Sequence, residues 1–160
     1  MTMPPLGWAA VAAVAQGVLA VRRRPTVGSI TVGALLGAGA LAVGLAPVVQ
    51  FRRSGTTINP VAVDRASTLV TTGIYRHTRN PMYVAMAGGL VAHAVLRRSP
   101  ATLLPVVGFV AALNRRQIPA EEAALTDRFG AEYQDYCRDV PRWLGPVRPS
   151  DQTPAGGTPA

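Results

Sequence analysis

The chain has no lysine, a single cysteine and few charges of either sign. Charged residues make up 15% of its 160 positions, against about 25% in an ordinary soluble domain. With a mean hydropathy of +0.23, that deficit argues against a soluble globular domain and for a membrane protein. One thiol, Cys137, excludes an intrachain disulfide and a metal site built from several cysteines. Its ordinary role is a small, half-buried side chain. The only histidines, His77 and His93, have no neighbours at ligand spacing, so no metal site is expected. No Gly-x-Gly-x-x-Gly or P-loop pattern occurs, which excludes a soluble-type nucleotide fold.

All sixteen basic residues are arginine and the net charge is +8. The arginines stand in short clusters at the ends of apolar runs. That is the layout of membrane-edge charge, and no nucleic-acid partner is expected.

Four apolar runs are present. Residues 4–21 are uncharged and close on Arg22, Arg23 and Arg24; residues 27–51 are uncharged and close on Arg52 and Arg53. At about 1.5 Å per residue both reach across a hydrocarbon core of about 30 Å, the first marginally. Positive charge follows the first run instead of preceding it, so a retained helix is expected and not a cleaved signal peptide. Runs 81–96 and 100–113 end at Arg97-Arg98 and Arg115-Arg116. Each is shorter than the roughly 17 residues a span usually needs. Only Arg97-Arg98-Ser99 joins them, so they should form a tight antiparallel hairpin that crosses with help from flanking residues. The expected fold is an all-α integral membrane protein with about four transmembrane helices, including a short C-terminal hairpin, plus a cytoplasmic amphipathic C-terminal helix. Residues 1–148 would be one transmembrane domain and 149–160, rich in Pro, Gly and Thr, a disordered tail.

Four crossings put arginines 52, 53, 65, 76, 79, 115, 116, 128, 138, 142 and 148 on one side, eleven in all, and 22, 23, 24, 97 and 98 on the other, five in all. The positive-inside rule then places both termini and the 52–80 loop in the cytoplasm. Within the second run Gly33, Gly37, Ala40 and Gly44 form a small-residue face, expected to serve packing within the molecule and not a dimer interface. Nothing in the sequence sets an oligomeric state.

After Arg116 the composition turns polar. Leu125, Phe129, Tyr133, Tyr136 and Val140 recur at helical spacing, so residues 121–139 are expected to form one helix with a single apolar stripe. Pro119 suits its start, and Glu121 and Glu122 suit its positive dipole end.

Three polar clusters fall on the same predicted side: residues 67–83, Arg115-Arg116 and Glu121-Glu122. Charges at bilayer depth are costly unless paired or serving a ligand, and a pairing of Glu121 or Glu122 with Arg115 or Arg116 is expected across one or two helical turns. In the loop Gly73 should make a turn, with Asn80 near the cap and Pro81 in the first turn of the next helix. Tyr75 and Tyr83 suit either stacking on a ligand or interfacial anchoring. His77 reads as a surface residue or a base; His93, deep in the third run, reads as a helix–helix hydrogen-bond partner or a pocket group.

Leu-Val-Thr-Thr-Gly-Ile-Tyr-Arg-His-Thr-Arg-Asn-Pro-Met-Tyr, then a hairpin, then Glu-Glu-Ala-Ala-Leu-Thr-Asp-Arg-Phe-Gly-Ala-Glu-Tyr-Gln-Asp-Tyr and Val-Pro-Arg-Trp-Leu, resembles the isoprenylcysteine carboxyl methyltransferase family, which is related to the membrane phospholipid methyltransferases. Phe-Arg-Arg-Ser-Gly-Thr-Thr-Ile-Asn-Pro upstream fits bacterial members, and the resemblance covers roughly residues 50–144. It implies an enzyme of the bacterial inner (plasma) membrane that uses S-adenosylmethionine at the cytoplasmic end of its helices. By motif position Ser67, Thr68, Leu69 and Val70 would line the cofactor, Tyr75 would contact it, and Asn80, Pro81, Met82 and Tyr83 would stand where the family has His-Pro-x-Tyr. Glu121, with Glu122 beside it, would hold a polar group of the cofactor. An arginine before the acidic pair, Arg115 or Arg116, would orient the methyl acceptor. Two departures accompany the resemblance: Asn80 replaces the usual histidine, and Gln117 stands four residues before Glu121 in place of an arginine.

The function expected is methyl transfer to a lipophilic acceptor entering from the bilayer, such as the carboxylate of an isoprenylcysteine-like or other lipid-like molecule. The activated sulfonium needs chiefly alignment and exclusion of water. An ionised carboxylate needs no strong base, whereas an amine or thiol would, with Glu122 or His77 as candidates. The competing readings are an NADPH-dependent membrane reductase with a similar hairpin and a catalytically silent membrane scaffold.

Overall fold

A computed structural model describes residues 3–20, 23–53 and 68–145. Helices α1 (Pro5–Leu19), α2 (Val27–Arg53), α3 (Pro81–Arg97), α4 (Leu103–Ala112), α5 (Ile118–Phe129) and α6 (Ala131–Asp139) carry the fold, and the described residues include no strand. Short 3-10 turns lie at Gly73–Arg76 and Pro100–Thr102. Both Ser67 and the tail 149–160 lie outside the described residues.

Among the described residues one helix has the length and apolarity to cross a bilayer unaided, over Val27–Gln50. At 15 residues, α1 rises only about 22 Å. Both helices expose much of their apolar surface: Leu6, Val14 and Val18 on α1, and Ile30, Leu35 and Leu41 on α2. Faces of this kind, with no charged residue over 5–19 or 27–50, suit lipid better than water.

The small-residue face of α2 packs against α3, within the molecule as the sequence suggested. A Cβ added to Gly33 would stand 2.7 Å from Leu96, one on Gly44 3.0 Å from Ala85, and one on Gly88 of α3 3.0 Å from Ala40. Small residues on both helices thus let the two backbones approach closely. On the other side of α3, helices α1 and α4 close a core of Ala12, Leu90, Val106, Phe109, Leu113 and Ile118.

One amide crosses that core. Gln16 is fully buried; its Nε2 donates to the carbonyls of Leu90 and Thr102, both at 2.9 Å. The Oε1 of Gln16 lies 2.8 Å from Nδ1 of His93. Because the Gln16 amide nitrogen is engaged by two carbonyls, Oε1 must accept, and His93 carries its proton on Nδ1. His93 is therefore a helix–helix hydrogen-bond partner.

The expected hairpin forms, turned by Arg98 in the left-handed region (φ 52°) and by Thr102, whose hydroxyl donates to the Ser99 carbonyl at 2.5 Å. Two expectations change. The helix of the fourth run does not stop where its apolar residues do: α4 runs on through a π turn at Leu113–Gln117 into α5. Pro119 has no N–H to return to the Arg115 carbonyl, and a widened turn absorbs that missing bond. In addition, the polar segment is two helices, broken at Gly130, which adopts φ 55° and donates its N–H to the Thr126 carbonyl at 2.8 Å. Glycine tolerates that conformation, so the periodic stripe bends there. Its residues still share one cluster: buried Tyr133, Tyr136 and Val140, with Leu125 and Phe129 packed beside them.

Candidate functional site

Two segments far apart in sequence meet at one end of the bundle: the loop 68–83 and the start of α5. The loop is held from three sides. Gly73 turns at φ 63°, facing the side-chain end of Gln50, and the left-handed turn requires glycine. The Gln50 amide donates to the Thr72 carbonyl at 2.9 Å and to its hydroxyl at 2.7 Å. Leu69 and Tyr75 pack on the α6 cluster, and the Tyr136 hydroxyl donates to the Tyr75 carbonyl at 2.7 Å.

At the end of the loop, fully buried Thr78 donates its hydroxyl to the Arg142 carbonyl at 2.9 Å and accepts from the Asn80 N–H at 3.1 Å. Asn80 stands at the N-cap of α3 but makes no side-chain cap. Its amide Nδ2 instead donates to the Arg142 carbonyl at 3.1 Å. Pro81 and Tyr83 are buried, Met82 and Thr68 are exposed, and Val70 is half-buried.

The acidic pair divides its partners. Glu121 Oε1 accepts from the Tyr83 hydroxyl at 2.5 Å and from Nε2 of Gln117 at 2.7 Å. Both donors are neutral, and neither reaches Oε2. Glu122 is instead bound by cations: Arg79 at 2.9 Å, and Arg142 through both Nε, at 2.7 Å, and its terminal nitrogen. This corrects the expected pairing with Arg115 or Arg116. The π turn rotates both arginines away from the acidic pair; they are exposed, and the Arg116 guanidinium lies 5.9 Å from the ring centre of Trp8.

These partners give the site an uneven field. The Glu122 charge is compensated twice, and the Glu122 hydrogen bond holds the Arg142 guanidinium above its ordinary value. The Glu121 charge has no cationic partner among the described residues. The nearby phenols of Tyr75, Tyr133 and Tyr136 are pushed up, chiefly by burial, and stay neutral. Arg79 also points toward Tyr133 at 3.5 Å and Cys137, while its Nε is buried without a partner among the described residues. A cavity of about 580 Å³ adjoins this end of the bundle on the α2 side, lined by Leu45, Ala46, Val49, Gln50, Thr72 and Ile74 among others; none of Tyr83, Glu121 or Glu122 lines it.

Of the residues singled out from sequence, Tyr83 and Glu121 touch, Asn80 and Glu122 are joined through Arg142 in a second, neighbouring network, and Leu69 and Tyr75 pack on the α6 cluster. Arg115 and Arg116 join neither network. Arg79, Arg142 and Thr78 were given no site role from sequence. Arg142 lies within the Val-Pro-Arg-Trp-Leu string, which marked its importance without assigning it a partner. Gln117, seen only as a departure, proves to be a direct ligand of Glu121.

The model of the phospholipid methyltransferase family matches residues 29–132. Among curated proteins, a probable protein-S-isoprenylcysteine O-methyltransferase of Oryza sativa subsp. indica is 33% identical over 96 residues, covering 58% of this chain and 49% of that protein. The counterpart in subsp. japonica matches to the same extent. An uncharacterized protein of Haemophilus influenzae is 35% identical over 63 residues, 39% of this chain and 100% of that protein. The chain thus spans about half the length of the plant proteins it matches. No solved structure matches.

Proposed function

This chain belongs to the phospholipid methyltransferase family, and we propose that it transfers a methyl group from S-adenosylmethionine to a lipophilic acceptor at the bilayer. The observation that carries the reading is the meeting of Tyr83 and Gln117 on one oxygen of Glu121. A carboxylate that meets neutral donors on one oxygen, among the described residues, leaves its second oxygen open to a ligand. An ammonium or a pair of hydroxyl groups fits that oxygen, and S-adenosylmethionine carries both. When bound, the cofactor supplies an electrophilic methyl group on a sulfonium.

In this reading Glu121 accepts the cofactor's polar group, and Tyr83 and Gln117 fix the carboxylate's orientation. Thr68, Leu69, Val70 and Tyr75 line the cofactor from the loop side, with the apolar cluster behind Leu69 and Tyr75 excluding water. The start of α3 at Asn80, Pro81 and Met82 forms the adjoining wall. Glu122, bound by Arg79 and Arg142, holds the loop to α5. Arg115 and Arg116, exposed and outside both carboxylate networks, are the groups left to meet an anionic acceptor such as a carboxylate. The bilayer is the medium: the hydropathy of α2 and the exposed apolar faces support membrane insertion. With four crossings, the charge asymmetry puts the arginine-rich side in the cytoplasm.

Isothermal titration of the purified full chain with S-adenosylmethionine tests the reading. Saturable binding is expected; a folded protein that takes up no cofactor would refute it.

A further inference from the structure

Residues 140–145, the described segment that follows α6, contact the end of the loop, the π turn and the start of α5. The carbonyl of Pro141 accepts from the Arg79 N–H at 2.9 Å. The carbonyl of Arg142 accepts from the Thr78 hydroxyl at 2.9 Å and the Asn80 amide at 3.1 Å. The Arg142 guanidinium grips Glu122 of α5 through two nitrogens. Indole Nε1 of Trp143 donates to Oδ1 of Asn114, in the π turn, at 3.1 Å. The loop, the π turn and α5 thus converge on one short stretch of chain.

We propose that this stretch is a strap over the site and that Arg142 is a positioning residue for the cofactor. The idea rests on the methyltransferase reading and adds to it a residue that acts through others. Arg142 touches neither Tyr83 nor Glu121. It joins the loop carrying Tyr83 to the helix carrying Glu121, through its carbonyl on one side and its guanidinium on the other. The spacing of Tyr83 and Glu121 is thus supported by Arg142 together with Arg79, the loop's own link to Glu122.

The strap is built to open. The Arg142 side chain is 39% exposed, against 12% for Arg79, the other cation on Glu122. Water and salt reach the Arg142 pair more readily, so it is the bond that yields first. Opening would free the strap from α5 and leave Arg79 as the one described cation still tying the loop to Glu122, and the bound cofactor would then leave faster from the loosened site. A lysine cannot reproduce a two-nitrogen grip on a carboxylate, so Arg142→Lys should behave as a partial loss.

Two measurements on the full chain in detergent or nanodiscs decide the matter. In hydrogen exchange without cofactor, Arg142→Ala should raise exchange at the amides of 78–84 at least tenfold while the middle of α3 stays protected. In stopped-flow binding of S-adenosylmethionine, Arg142→Ala should raise the dissociation rate about 10- to 100-fold, with Arg142→Lys between it and the unaltered protein. The unaltered protein's dissociation rate should rise with salt, and that of Arg142→Ala should not. Should the alanine variant fail to fold, the lysine variant carries both arms. Unchanged exchange at 78–84, or altered exchange with an unchanged dissociation rate, would overturn the proposal. Absence of cofactor binding by the unaltered protein would defeat the methyltransferase reading, and with it Arg142 as a cofactor-positioning residue; the exchange arm would still show separately whether the strap joins loop to helix.

Discussion

Glu121→Gln and Glu122→Gln form a paired test, because the two carboxylates sit side by side with opposite partners. Among the described residues Glu121 accepts neutral donors, the Tyr83 hydroxyl at 2.5 Å and the Gln117 amide at 2.7 Å, and meets no cation, so Glu121→Gln should fall mainly on the ligand. A hydrogen bond to a charged group contributes about 1.5–3 kcal/mol and a neutral one about 0.5–1.5. The difference of roughly 1–2 kcal/mol corresponds to a loss of about 5- to 30-fold in S-adenosylmethionine affinity. Glu122 accepts two guanidiniums with side chains 12% and 39% exposed, and is itself 19% exposed. Breaking a fully buried pair costs about 3–5 kcal/mol; partial exposure reduces this to about 1–3. Glu122→Gln should therefore lower the unfolding midpoint, with affinity lost through the loosened loop. Titration calorimetry and thermal unfolding of the same samples separate the two effects. If Glu121→Gln binds cofactor like the unaltered protein and loses stability instead, the assignment of its charge to the ligand is wrong.

Other outcomes follow from the packing and the buried polar groups. Gly88→Val should destabilise the α2–α3 contact by about 1–3 kcal/mol, because an added Cβ already stands 3.0 Å from Ala40, whereas Gly89→Ala, with nothing within 4 Å, should be tolerated or stabilising; urea unfolding in detergent compares them. Gln16→Leu removes three interhelical hydrogen bonds at about 0.6 kcal/mol each, roughly 2 in total, and the same unfolding assay should show that loss. The phenols of Tyr75, Tyr133 and Tyr136 are raised by burial, so the unfolded chain ionises first, from about pH 10. Their contribution to stability is complete below that pH and declines as pH rises above it; thermal melts between pH 8 and 11 should be flat and then fall, and less steeply in Tyr136→Phe.

The long apolar runs and the small-residue face announced α1, α2 and the hairpin because helical burial leaves a periodic trace in composition. That Gly33, Gly37, Ala40 and Gly44 serve internal packing was legible for the same reason: close approach excludes side chains, and only small residues permit it. The stripe from Leu125 to Val140 was equally visible, yet the break at Gly130 was not, since one glycine sits in a helix or ends it according to what surrounds it. The π turn was hidden too. It depends on how the chain accommodates Pro119, and it decides that Gln117, and not Arg115 or Arg116, meets Glu121.

Taken alone, the sequence determined the class of molecule: helical, apolar at its faces, with a polar loop and an acidic pair that had to be compensated or put to use. Those properties are set by local composition and period. Which cation compensates which carboxylate was decided only by tertiary structure, because Arg79 and Arg142 lie 43 and 20 residues from Glu122 in sequence. Electrostatic partners are chosen by distance in space, and that distance exists only after the loop, the π turn and the strap have come together.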